Sequence, residues 1–114
     1  MNVLIVDDEK IEREGIKYLL SMEKGKRSVY EAANGKQALQ ILRTESIDLL
    51  LTDIKMPHMD GLELSRRAKE LFPDIQIVIF SGYNDFTFAQ EAIRYGVTDS
   101  VSYTHLTLPT ILRV

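Results

Sequence analysis

Residues 3–6 (VLIV), 49–51 (LLL) and 77–80 (IVIF) are short, uninterrupted apolar runs. They are too short for buried helices and read as strands buried on both faces. A fourth, more polar run lies at 28–32. Between the runs, apolar residues recur at helical spacing: Ile11, Ile16, Leu19 and Leu20; Ala38, Leu39, Ile41 and Leu42; Leu62, Leu64, Ala68 and Leu71; Phe86, Ala89, Ala92 and Ile93. Strands alternating with helices demand right-handed crossovers, which predicts an α/β domain with a parallel sheet covered on both faces. The predicted strands are 3–6, 28–32, 48–52 and 75–80, with room for a fifth after Gly96. Asn34-Gly35 opens the second helix, Asp60 caps the third, Pro73 ends it, and Tyr95-Gly96 ends the fourth.

The 114 residues, 45% of them hydrophobic, support one domain with one core. A net charge of −3 gives no polyanion-binding balance, so the basic clusters at 24–27 (KGKR) and 66–69 (RRAK) read as solvated surface and no direct nucleic-acid binding is expected. The absence of cysteine excludes a disulfide scaffold, a thiolate metal site and a cysteine nucleophile. No apolar run approaches a membrane span, and the N-terminus is not a signal peptide, so no membrane association and a cytoplasmic location are expected.

Two of the strands run into acids: VLIV into Asp7-Asp8-Glu9, and LLLT into Asp53. In an open parallel sheet the strand C-termini share one edge, where ligands bind at the reversal of strand order. If the first and third strands are neighbours, Asp7, Asp8 and Asp53 come together there. Three carboxylates in a small cleft repel unless a cation joins them, and oxygen-only donors favour a hard cation such as Mg²⁺. Asp8 or Glu9, taken alone, reads as a helix cap. Asp53 lies too far upstream of Asp60 to cap the third helix. Ser81, at the end of IVIF, brings a hydroxyl to the same edge. His58 and His105 are not placed for a Ser-His-Asp triad, and the nucleophile-elbow motif is absent.

Taken in order, VLIVDDE, LLLTDIKMPHMDGLEL, IVIFSG and AIRYGVTD resemble the receiver domain of bacterial two-component response regulators, over about residues 2–99. SGYNDFTFAQEAIRYGVTD is similar to regulators that carry an AraC-type DNA-binding output domain. The resemblance implies a flavodoxin-like, doubly wound sheet in the order 2-1-3-4-5. It implies that Asp53 accepts a phosphoryl group from a histidine kinase, to switch an output domain absent from this chain. Asp8 and Asp53 would hold Mg²⁺ through side chains, Asp7 through water, and Lys55 through its backbone carbonyl. Ser81 would be the switch hydroxyl. Such a domain is not an enzyme beyond its own phosphorylation and dephosphorylation. Two alternatives stand beside it: a pseudo-receiver that keeps the fold without the switch, and a Mg²⁺ phosphatase of the haloacid dehalogenase type. The latter places a second Asp where this chain has Lys55.

The chain departs from the family pattern after Asp99. Tyr103 stands where the family carries a lysine in its fifth strand, and Ser100 where it carries an aromatic switch residue. The tail SVSYTHLTLPT (100–110) resembles a peptide encoded when a reading frame runs into a sequencing-library adapter. Residues 1–99 are therefore expected to be an incomplete receiver and 100–114 a non-native tail. That tail would add a makeshift fifth strand at 100–104, irregular chain beyond it and no fifth helix. The sheet face beside the first helix would then be partly bare and able to pair two copies of the chain.

Overall fold

The computed structural model of the chain describes residues 1–22, 25–81 and 99–102, the last four together with residues 80 and 81 as backbone. Strands β1 (Asn2–Val6), β2 (Ser28–Ala32), β3 (Leu49–Asp53), β4 (Gln76–Ser81) and β5 (Asp99–Ser102) form one sheet. All neighbours are parallel, in the order β2-β1-β3-β4-β5. Helices α1 (Lys10–Ser21), α2 (Gly35–Thr44) and α3 (Gly61–Leu71) complete the described crossovers. This is the doubly wound, flavodoxin-like arrangement that the strand pattern and the resemblance imply.

Because successive strand residues point to opposite faces, each apolar strand feeds two cores. Leu4, Val6, Leu50, Ile77 and Ile79 pack with Ala38, Leu39 and Leu42 of α2 and with Leu62, Leu64 and Ala68 of α3. Val3, Ile5, Leu49, Leu51 and Val78 pack on the other face with Ile16 and Leu20 of α1. The register aligns these sets across the sheet: Ile5 pairs with Leu51, and Leu51 with Val78.

The caps follow the sequence. Asn34 Oδ1 accepts from Gln37 N at 2.9 Å, and Gln37 Oε1 accepts from Ala33 N at 2.9 Å, so each side chain satisfies a free amide at the start of α2. Asp60 Oδ1 accepts from Glu63 N at 2.8 Å. Helix α3 ends at Leu71, and the Phe72 amide reaches back to Ala68 O before Pro73.

Some expectations need correction. Strands β3 and β4 each begin and end one residue later than predicted, which makes Asp53 the last residue of β3. Strand β5 covers 100–102 of the predicted 100–104 and begins one residue earlier, at Asp99, while residues 103 and 104 lie outside the described residues. Ile11 is 85% exposed and Leu71 43% exposed, so neither belongs to the core. Ile11 lies at the outer side of the first turn of α1, and Leu71 is the last residue of α3. On the α1 side of the sheet Val3, Ile5, Leu49, Leu51 and Val78 are all buried; the side chains of β5 and the chain beyond it, on which the expected bare strip and the pairing of two copies depend, lie outside the described residues. The predicted fourth helix, Tyr103, the stretch 105–114 and the question of a fifth helix lie outside the described residues. No helix among the described residues is long and apolar enough to cross a membrane.

Candidate metal centre

Val6 and Thr52 pair across β1 and β3. The next residue of each strand path is an aspartate, so the ladder itself delivers Asp7 and Asp53 to one edge. The first turn of α1 adds Glu12. One carboxylate oxygen from each of Asp7, Glu12 and Asp53 lies within 4.8 Å of the other two. Asp7 is 1% exposed and Asp53 9% exposed.

Local bonds hold these groups in place. The Asp7 amide donates to Ala32 O of β2 at 3.1 Å. Asp7 Oδ1 accepts from Glu9 N at 2.9 Å, which turns the chain into α1. Glu9 occupies the N-cap position of α1 but makes no side-chain cap bond. On β3, the buried Thr52 hydroxyl donates to Asp53 O at 2.9 Å. The loop after Asp53 folds tightly back. His58 adopts φ 69°, a left-handed conformation unusual for a residue with a Cβ, and Met59 N donates to Pro57 O at 2.8 Å. Gly61 N then donates to Ile54 O at 2.8 Å. A Cβ at Gly61 would strike the carbonyl oxygen of Asp53 and crowd Ile54 Cα. Glycine is thus required where α3 begins against the end of β3.

The electrostatics are those of buried acids held close together. Burial, a hydrogen bond with Glu12 and the nearby Asp53 push the Asp7 carboxyl up to about 9. Burial, with the charges of Glu12 and Asp8, pushes Asp53 up to about 7, although the amides of Ile54 and Lys55 pull it the other way. A divalent cation among these oxygens would remove both penalties. The donor set is oxygen only, the chemistry a hard cation requires.

Of the residues singled out from sequence, the fold brings Asp7 and Asp53 together. Asp8 is exposed and outside the three-oxygen group, though close enough to act on Asp53. Lys55 is exposed, two residues past Asp53. Ser81 ends β4, one position beyond Phe80, which pairs with Asp53. Glu12 was not anticipated. It sits in the charged stretch EKIEREG, where nothing separates it from solvated surface; its only signal is its place in the turn of helix that follows an acid-terminated strand.

The family model described as response regulator receiver domain matches residues 3–104. The uncharacterized transcriptional regulatory protein YesN of Bacillus subtilis is 35% identical over 96 residues, which cover 83% of this chain and 26% of YesN. Sporulation initiation phosphotransferase F of the same organism is 38% identical over 96 residues, covering 82% of this chain and 74% of that protein. The crystal structure of a two component transcriptional regulator AraC from Clostridium phytofermentans superposes with a TM-score of 0.78 at 33% identity, covering 90% of this chain and 80% of that one. The chain spans less than half the length of the first curated relatives it matches, 26% to 45%.

Proposed function

The chain belongs to the response regulator receiver domain family, and from that premise we propose that it is a phosphoacceptor signalling domain. Asp53 takes a phosphoryl group from the phosphohistidine of a histidine kinase and so switches an output domain, DNA-binding in the parent regulator, in the cytoplasm. The observation that carries this reading is the meeting of the Asp7, Glu12 and Asp53 oxygens within 4.8 Å at the ends of neighbouring strands.

Asp53 is the nucleophile. Its carboxylate oxygen forms a bond to phosphorus as the phosphorus–nitrogen bond of the donor breaks, and the imidazole leaves and is protonated by solvent. Asp7 and Asp53 would hold Mg²⁺, with Glu12 beside them and Asp8 and the Lys55 carbonyl as further donors. When bound, Mg²⁺ neutralises charge on the carboxylates and on the incoming phosphoryl oxygens. The amides of Ile54 and Lys55 orient the Asp53 carboxylate. Ser81 supplies the hydroxyl that bonds the transferred group. The only turnover is the domain's own phosphorylation and dephosphorylation. Lys55, in place of a second aspartate, argues against a phosphatase of the haloacid dehalogenase type.

A pseudo-receiver is the second reading, favoured by Tyr103 at the family's lysine position. The break in family pattern after Asp99 also supports a receiver at 1–99 with a non-native tail at 100–114, although the family match runs on to residue 104. Acetyl phosphate with Mg²⁺ separates the two functional readings. The expected result is one acid-stable, base-labile phosphoryl group on the chain, absent from Asp53→Ala. A label that survives Asp53→Ala sinks the proposal. Mg²⁺ binding without any phosphoryl group on wild type favours the pseudo-receiver.

A further inference from the structure

Two consecutive residues of α1 reach the same residue of the turn before it. Glu12 brings a carboxylate oxygen within 4.8 Å of one from Asp7, while Arg13 Nη1 donates to the Asp7 carbonyl at 2.6 Å. The rest of the guanidinium is held from β2. Arg13 Nε donates to Glu31 Oε1 at 3.2 Å, and Lys17 Nζ holds the other Glu31 oxygen at 3.1 Å. The Arg13 side chain is 15% exposed and that of Glu31 33%, so the guanidinium is largely covered at the Asp7 end of the fork while its brace reaches the surface. The Asp7 peptide is therefore tied to β2 twice: its N–H directly through Ala32 O, its carbonyl through Arg13 and Glu31.

We propose that Arg13, braced by Glu31, is a positioning residue for the metal centre, fixing the Asp7 peptide so that its carboxyl faces Asp53 and Glu12. The inference rests on the metal-binding reading above. Its physical content lies in a sign. A guanidinium near a cation site opposes cation binding by Coulomb repulsion, so if charge alone mattered, removing it would tighten Mg²⁺ binding. If the fork sets the geometry, removing it loosens binding despite the relieved repulsion. Lysine cannot substitute, because a single ammonium does not span the Asp7 carbonyl and Glu31 together.

Mg²⁺ titration of the full chain by calorimetry, with thermal midpoints taken in Mg²⁺-free buffer, tests this. Arg13→Met and Arg13→Lys are expected to weaken Mg²⁺ binding about tenfold, the scale typical of groups that orient metal ligands. Lys17→Met, which removes a neighbouring charge but not the fork, is expected to stay within about twofold of wild type. Glu31→Gln reports on the brace if the Arg13 variants do not fold, and is expected to weaken binding in the same direction. Equal or tighter binding by Arg13→Met or Arg13→Lys overturns the proposal, as does an equal loss in Lys17→Met. If wild type itself binds no Mg²⁺, the metal-binding reading fails and takes this inference with it.

Discussion

Asp7 and Asp53 hold their protons more tightly in the folded chain than the ordinary carboxylate value of 3.8 allows, Asp53 to about 7 and Asp7 to about 9. Between those values the native state carries more protons than the unfolded chain, so stability falls as pH rises. The loss begins above 3.8 and is complete once pH passes the folded values. Glu63, pulled down to about 2 by Arg66 and Arg67, acts with the opposite sign but below its ordinary 4.5, outside this window. The metal-free thermal midpoint should therefore drop between pH 5 and pH 8.5, and Mg²⁺ should raise it more at the higher pH. A midpoint that is flat or rising without Mg²⁺ across that range would count against acids held neutral by burial; melting curves in chelator decide. Asp53 was legible in the sequence because an apolar strand has no structural use for a terminal carboxylate. Glu12 was not. A carboxylate inside a charged helical stretch carries no mark of which way it faces until the helix is docked.

At the scale of elements, two glycines make opposite demands. Gly15 lies within α1 with open space where its Cβ would stand, whereas Gly61 starts α3 with its Cα against the Asp53 carbonyl. Gly15→Ala should stabilise the domain by about 0.5–1 kcal/mol, through helix propensity alone. Gly61→Ala should destabilise it by about 1–3 kcal/mol, because the backbone of another element must shift. It should also slow phosphorylation of Asp53 by acetyl phosphate. Urea unfolding and a labelling time course measure the two effects together. The strands were readable to within a residue, since runs buried on both faces leave little latitude. Helical spacing was less decisive: it grouped Ile11 with Ile16 and Leu71 with Ala68, although the sheet covers the middle of each helix and leaves those end positions in water.

For the molecule as a whole, parallel pairing places three strand ends from distant parts of the sequence on one edge. The order β2-β1-β3-β4-β5 makes the two aspartate-bearing strands neighbours. On the proposed reading the family's fifth-strand lysine belongs at this same edge, at the position that Tyr103 takes in the sequence. Tyr103→Lys is expected to raise the rate of phosphorylation by acetyl phosphate about tenfold or more, as a cation aimed at the transferring oxygens would; an unchanged rate would show that the position is not the one that matters. The close seat of Gly61 on Asp53 has one more consequence. Residues 54–60 leave β3 and return to touch the point of departure, so the segment is a closed ring whose size is counted in residues. Its composition can drift, but inserting or deleting one residue would lift α3 off the aspartate or drag the carboxylate from its partners.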